Sequence, residues 1–590
     1  MLKTENLVSR QRLVILSSLV SVLLFALIGR FFQLQIYNYE QYKVKSEANI
    51  IRAQSIPAPR GLIYDREGNI LVDNYPTYLL TAIPIEMGNV DTVLHKISGY
   101  IDVDAAMLMK NYKKYYQGRF NPTRLAKDLS IEQLSCIAEH KLELPGINYK
   151  QMPERYYPGL INASHIIGYI REVDRRFLET GNESGQYRLG DMIGWRGLEK
   201  TYESRLRGID GVRYLQVDAL GREVGTVAGH QIIKPIPGED LFLSLDRDLQ
   251  ILIEREMIDR SGAIIVSRPQ TGEILAIASF PDYPPDLFTG ITLDEEWNFY
   301  AQSITKPLVN RITNGLYPPG STFKPLVLLG LLSHNLIDTN KTIICNGKYR
   351  LGHGVFECWK PGGHNKVNLR KAIEQSCNVY FYNMILLLDL DDWAEICYSF
   401  NFGEKSGIDL PSELTGTIPT TEFMDNKYGK RRWSKGNLLN IAIGQGDILV
   451  TPIQMLLYIN QIATHGNAIT PHLILTGNES VDNKPDISDE IWDILHDFMH
   501  GVTNSAHGTG RLAQPKLPGV ITYGKTGTAE NPHGDAHAWY IGWGEKDDQM
   551  LSVVILIENA GHGGDVAAPV ARKIFELYFP KYHTLVSVET

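Results

Sequence analysis

Tyr317-Pro318-Pro319-Gly320-Ser321-Thr322-Phe323-Lys324, followed by Pro325, is the stretch whose reading decides the fold. Ser321 and Lys324 are three residues apart, and residues at that spacing share a face of a helical turn. A hydroxyl then lies beside an amine, which is what a serine nucleophile needs when its base is a lysine. Pro318, Pro319 and Gly320 mark the turn into the helix. Pro325 lacks an N–H and so belongs at a helix start, which puts Ser321 at the positive end of the helix dipole. The same four residues also fit an ordinary helix start, so their meaning depends on the rest of the chain.

Working outward, the flanks predict one α+β domain. Asp246 is placed to cap a helix running to about residue 258. Segments 262–267 and 274–279 read as a hairpin around a Pro-Gln-Thr-Gly turn. Segments 520–528, 538–542 and 551–557 read as three more strands, and a helix over 567–578 closes the domain. A mostly helical insert separates the two groups of strands, so the sheet is expected to be built from both ends of the segment. The Ser-x-x-Lys helix opens the insert. Ser376-Cys377-Asn378 follows within it, and Lys525-Thr526-Gly527-Thr528 stands on the first late strand.

Composition narrows the class. The 590 residues carry a formal net charge of −9, which argues against a nucleic-acid partner. Five cysteines are too few for a disulfide scaffold. Residues 13–36 are apolar enough, and long enough, to span about 30 Å of hydrocarbon. Lys3, Arg10 and Arg12 precede this stretch, so an uncleaved anchor with a cytoplasmic tail (residues 1–12) is expected. Between 37 and 240 the chain offers turns and amphipathic segments but no chemical constellation. Segments 58–72 read as strand, tight turn at Glu67-Gly68-Asn69, and strand. Segment 90–145 reads as mostly helical, 147 onward as extended, and 197–208 as a short helix. A turn is expected at Leu220-Gly221-Arg222, and a boundary near residues 235–238.

Ser-x-x-Lys, Ser-x-Asn and Lys-Thr-Gly in that order form the serine acyl-transfer set of penicillin-binding proteins and class A β-lactamases. With Arg60-Gly61 and Asp65-Arg66 near the start of the module, Gly444-Gln445-Gly446, Thr451-Pro452 and His537-Ala538-Trp539, the chain resembles a class B penicillin-binding protein of the elongation type. The resemblance implies a transmembrane helix (13–36), an elongated pedestal or dimerisation domain (37–240) and a transpeptidase domain (241–585). The last is an antiparallel sheet flanked by helices, with a mostly helical subdomain. It implies that Ser321 attacks the D-Ala-D-Ala bond of a peptidoglycan stem peptide, with Lys324 as base. Ser376 would relay a proton, Asn378 would hold the substrate amide, and Lys525 would supply positive charge that keeps Lys324 neutral. Thr526 and Thr528 would bind the terminal carboxylate, Gly527 would let the substrate backbone lie close, and the N–H groups of Ser321 and Thr528 would form the oxyanion hole. β-Lactams would block Ser321.

Cys345, Cys358, His364 and Cys377 form a second cluster. Three thiols and an imidazole suit a tetrahedral Zn2+, although the spacing is not that of a zinc knuckle. A disulfide and unlinked core thiols are the rival readings. Some elongation-type members of the family hold a structural zinc near the active site, and the resemblance extends that expectation here. Cys136 and Cys397 read as core residues. His353 reads as a loop residue, and His533, His537 and His562 as cleft-lining or structural.

The chain has no polymerase domain, so the resemblance implies a RodA-type glycosyltransferase partner within an elongation complex. The enzyme would sit in the inner membrane by a single pass, N-terminus cytoplasmic and catalytic domain periplasmic. Two other functions use the same motifs: a D,D-carboxypeptidase or β-lactamase-like hydrolase, and a non-catalytic scaffold or β-lactam sensor. The long module at 37–240 speaks against the first, and the intact motif set against the second.

Overall fold

The structure is a computed structural model. It describes all residues except 1–9, 41, 44–50, 160, 182–185, 218–222, 227–230, 289–293, 431, 468, 476–483 and 587–590. The turn expected at 220–222 therefore lies outside the described residues.

A helix over Arg10–Phe32 is continued by a π-helical turn at Gln33–Tyr37. Residues 12–37 have a mean hydropathy of 2.3 over their most apolar window, and none of that window is buried by protein. Among the described residues it is the one helix long and apolar enough to cross a membrane.

Beyond it the chain divides into two compact units. The first comprises residues 1–59, 75–154 and 208–237. Its core packs the helices Val90–Ile101, Ala105–Tyr115 and Ile131–Glu139 against strand residues of Leu80–Ala82 and Thr123–Ala126. The expected helices are present, each with a polar N-cap (Asn89, Asp104, Ser130) satisfying orphan N–H groups. The strand Thr123–Ala126 interrupts a region read as mostly helical. Cys136, expected in the core, is only half-buried, on a helix that buries Ile137 instead. A separate sheet in this unit pairs Ile51–Ile56 with Gly211–Val217 and that strand with Glu223–Thr226.

The second unit comprises residues 60–74, 155–207 and 238–590. Its five-stranded sheet runs Ile274–Phe280, Gly262–Ser267, Gln549–Ile557, His537–Lys546, Ile521–Ala529, every neighbour antiparallel. Both ends of the segment thus build one sheet, as expected. Alternate residues feed two cores: Ile265, Val554, Leu556 and Ile541 enter one, and Ile264, Val553, Ile555 and Tyr540 the other. The helices Arg247–Glu256 and Gly563–Val586 cover the second face. Asp246 caps the first of these through Asp248 and Leu249 N–H. The strand Ile521–Ala529 lies at the sheet's edge and carries the Lys-Thr-Gly motif; its backbone is not wholly open, since Thr522 O accepts from Thr503 Oγ1 and Asn504 Nδ2.

The Arg60 segment belongs to this unit and does structural work that local reading misses. Glu199, fully buried, accepts from Arg60 Nη2 at 2.6 Å and from Arg155 Nε at 2.6 Å, while Glu203 takes Arg60 Nη2 at 2.7 Å. Removing one partner of a buried ion pair strands the other's charge and costs about 3–5 kcal/mol. Glu199→Ala, which strands the Arg155 guanidinium and leaves Arg60 only Glu203, is expected to lower the thermal midpoint by several degrees, whereas Glu239→Ala on the exposed Arg205 pair is expected to leave it unchanged. Equal midpoints for both variants in a thermal-shift assay would refute the assignment.

Candidate active site

The nucleophile motif is not one helix. Gly320–Phe323 forms a 3-10 turn, and the α-helix Lys324–Ser333 follows, with Pro325 in its first turn. Gly320 has φ +59°, and a Cβ there would lie 2.9 Å from Thr528 O. Its N–H donates to Gly444 O at 2.9 Å. Gly444 in turn has φ +71°, and its Cβ would lie 2.0 Å from Gly320 O. Two glycines therefore interlock beneath half-buried Ser321. Trp539 Nε1 donates to Pro318 O at 3.1 Å. Tyr317 OH donates to Glu558 Oε1 at 2.6 Å, and Arg311 Nε reaches the same oxygen at 2.8 Å. Neither Glu558 nor Arg311 was singled out from sequence, because their partners are more than two hundred residues away.

Lys324 is fully buried. Its Nζ donates to Ser376 O at 2.8 Å, Ser376 Oγ at 3.0 Å and Asn378 Oδ1 at 2.7 Å. The amine is thus engaged mainly with the second motif. Ser376 sits between the helices Leu369–Glu374 and Asn378–Met384 in left-handed backbone, φ +53°. This conformation is uncommon for a non-glycine residue, and it presents Oγ and the carbonyl oxygen to the same amine. Lys525, also fully buried, donates to Ser376 Oγ at 3.1 Å and to Thr526 O at 3.0 Å. The three motifs therefore converge on one hydroxyl.

Burial lowers the pKa of Lys324 to about 8, against a smaller opposing pull from the Cys377 and Cys358 thiols. Lys525 is pushed well below its ordinary value by burial and then by repulsion from Lys324. Repulsion between the two amines is the interaction by which the sequence reading has Lys525 keep Lys324 neutral. Two buried amines on one hydroxyl share a titration.

Thr526 and Thr528 lie on the same strand, two residues apart. Thr526 Oγ1 donates to Thr509 Oγ1 at 2.7 Å, and Thr528 Oγ1 lies 3.4 Å from His562 Nδ1. Neither Thr509 nor the His562 contact follows from the motifs. Gly527 has a structural requirement beside the one expected for substrate approach. A Cβ there would lie 2.9 Å from Thr322 Cγ2 and 3.0 Å from both Pro319 O and Trp539 Cβ, so the glycine admits the nucleophile turn itself. His537 lies beside the cleft, its Nδ1 accepting from Asn559 N–H at 3.2 Å and its pKa lowered by burial. His353 and His533 are exposed.

Cys345, Cys358, His364 and Cys377 come together, all buried, their ligand atoms within 4.8 Å of one another. His364 Nδ1 is 3.7 Å from Cys345 Sγ and 3.5 Å from Cys358 Sγ. Tetrahedral bonds of the usual lengths to zinc would put sulfur and nitrogen about 3.6 Å apart, so the residues fit the metal. His364 Nε2 is buried without a partner among the described residues, which leaves the ring's polar contacts on the sulfur side. All five cysteines are unpaired thiols. The hydrogen bond with Cys377 lowers the Cys358 pKa, with a further lowering from His364, and raises that of Cys377. Gly363, φ +79°, makes the turn possible, since its Cβ would lie 2.2 Å from Cys345 O. Cys377 is the N-cap of the helix that begins at Asn378, so the cluster abuts the Ser376 turn.

Comparison with known proteins agrees with this geometry. Residues 262–576 match the penicillin-binding protein transpeptidase domain, and residues 55–243 match the penicillin-binding protein dimerisation domain. Peptidoglycan D,D-transpeptidase MrdA of Acinetobacter baumannii is 32% identical over 98% of this chain and 88% of the relative. Its counterpart in Haemophilus influenzae is 31% identical over 97% of this chain and 92% of the relative. The Helicobacter pylori penicillin-binding protein 2, solved in complex with MreC, superposes with a TM-score of 0.80 at 29% identity, covering 90% of this chain and 100% of that one. With more than half its residues matched by the transpeptidase domain and a relative about a third identical along nearly its whole length, the chain belongs to the penicillin-binding proteins, in their class B, elongation-type branch.

Proposed function

We propose that the chain is a serine peptidoglycan D,D-transpeptidase that cross-links stem peptides during cell elongation. The observation that carries this reading is the convergence of Lys324, Lys525 and Asn378 around Ser376, next to an edge strand. A stem peptide lies along the Lys-Thr-Gly-Thr part of that strand as an added strand, which brings the D-Ala-D-Ala carbonyl to Ser321. Ser321 Oγ attacks that carbon as Lys324 Nζ, in its neutral form, takes the hydroxyl proton. The N–H groups of Ser321 and Thr528 stabilise the oxyanion. As the C–N bond breaks, Ser376 Oγ gives its proton to the departing D-alanine amine and is reprotonated by Lys324, which already donates to it. Asn378 holds the substrate amide. Thr526, Thr528 and Lys525 bind the terminal carboxylate, whose charge restores the proton on Lys525. The amine of a second stem peptide then attacks the ester carbon, and Ser321 leaves with a proton.

The boundaries in this reading are tail 1–12, anchor 13–36, pedestal 37–240 and transpeptidase 241–585, with residues 60–74 and 155–207 of the pedestal packing in one compact unit with the catalytic sheet. The anchor holds the chain in the inner membrane, N-terminus in the cytoplasm and catalytic domain in the periplasm. Cys345, Cys358, His364 and Cys377 would hold Zn2+, which would supply a structural cross-link beside the Ser376 turn. The glycan polymerase is a RodA-type partner in the elongation complex. The seating of a relative with MreC and the likeness to a structure titled for the coordination of polymerization and crosslinking by a peptidoglycan synthase complex (TM-score 0.71, 29% identity) support such an assembly. β-Lactams acylate Ser321.

The test is product analysis. A purified full chain given a stem pentapeptide donor and an amine acceptor is expected to release D-alanine and form the cross-linked amide. Release of D-alanine with water as the main acceptor would make the chain a carboxypeptidase instead.

A further inference from the structure

We propose that His562 is a positioning residue for substrate recognition: through Thr528 it directs a hydroxyl proton at the carboxylate of the D-alanyl terminus. The inference rests on the transpeptidase reading and names a residue that reading does not use.

His562 stands between Gly561 and Gly563, at the start of the closing helix Gly563–Val586. Its carbonyl oxygen accepts Asp565 N–H at 3.1 Å and Val566 N–H at 3.2 Å, so its backbone caps the helix. The residue cannot drift from the sheet. Gly561 N–H is tied to Ala536 O at 2.9 Å, and a Cβ at residue 563 would lie 2.1 Å from Trp539 O and 2.4 Å from Gly527 O. The imidazole is exposed and contributes little to a core. Its polar contact is Nδ1 to Thr528 Oγ1 at 3.4 Å.

That contact has two forms. With Nδ1 unprotonated, Thr528 donates to the ring, and its oxygen turns lone pairs toward the cleft. With Nδ1–H, the ring donates to Thr528 Oγ1 and the hydroxyl proton is free for an incoming acceptor. A carboxylate along the strand repels the first form and is bound by the second. Such a charge-assisted bond is shorter than one between neutral groups. The ligand is an anion, and the geometry of a strand edge suits the terminal carboxylate of a peptide or its β-lactam mimic.

The experiment compares acylation of the detergent-solubilised full chain by benzylpenicillin and by its methyl ester, followed by intact-mass measurement. His562→Ala is expected to slow acylation by the free acid about tenfold, one charge-assisted hydrogen bond, and to change the ester rate less than about twofold. His562→Asn, which keeps a donor near the Nδ1 position, is expected to restore most of the loss. An equal slowing of acid and ester assigns His562 a purely structural role and overturns the inference, as does an unchanged acid rate. A wild type that takes no adduct at all overturns the transpeptidase reading and this inference with it, whereas a labelled wild type with an unaffected variant overturns the inference alone.

Discussion

Ser321→Ala is expected to abolish covalent labelling by fluorescent penicillin, with the adduct of the wild type mapping to the peptide that carries Ser321. Any saturable label retained by the variant would remove Ser321 as the nucleophile. Lys324→Met sharpens the assignment, because a general base contributes typically about 10²–10⁴-fold, and a loss in that range is expected in the acylation rate. The pH profile gives the sign. The base works in its neutral form, and burial sets its pKa to about 8. The acylation rate should therefore rise about tenfold per pH unit up to that value and then level off. A rate independent of pH between 6 and 8 would contradict a lysine base. Stability runs in a related direction. The folded-state pKa of Lys324 lies below the ordinary lysine value of 10.5, so the unfolded chain binds more protons between about 8 and 10.5 and stability rises with pH across that window. Below the window the burial penalty is complete, of order 3 kcal/mol. Lys324→Met relieves it but leaves Ser376 and Asn378 acceptors unpaired, at about 1–3 kcal/mol each. Loss of activity with a nearly unchanged thermal midpoint is the expected pair of results.

The sheet and the order of its motifs were legible because the strands Ile274–Phe280 and Gln549–Ile557 are buried on both faces and read as continuous apolar runs. Asp246 and the Asp65-to-Asn69 turn were legible because capping and turn chemistry act within four residues. What stayed hidden was decided at long range. Periodicity cannot say that Lys324 meets Ser376 fifty-two positions away, or that Ser376 takes a left-handed backbone to do so. Nothing local marks Thr509 as the partner of Thr526 or Glu199 as the hub for Arg60 and Arg155. Gly444 was quoted only as part of a resemblance, and its cause lies in the close approach of Gly320. Gly527 was singled out for close approach of substrate, and nothing local marks its further contact with Pro319 and Thr322.

The three thiols and the imidazole of Cys345, Cys358, Cys377 and His364 carry the second large effect. The detergent-solubilised full chain is expected to purify with about one equivalent of zinc, a stoichiometry that follows from one tetrahedral set. Cys345→Ser is the informative variant, because Cys345 ends the strand Ile343–Cys345 and touches none of the reacting groups. Structural zinc binding in small peptides is worth about 10–16 kcal/mol. Even a loss of 5 kcal/mol in a domain of this size shifts the midpoint by about 7 °C. The variant is therefore expected to lose the metal and to unfold at least that much earlier. Chelation of the wild type should reproduce both changes. The penicillin-labelling rate should fall about 10–100-fold in parallel, because the metal side of Cys377 is one residue from Ser376, whose strained backbone must hold Oγ between Lys324 and Lys525. A left-handed serine costs about 1–3 kcal/mol and persists only where its surroundings over-determine it, and the cluster is the neighbour able to do so. Less than a tenth of an equivalent of zinc, with a midpoint unmoved by chelation, would leave the four residues as packed thiols and an imidazole. An unchanged labelling rate after the zinc is lost would show instead that the Ser376 turn is held by its two lysines alone.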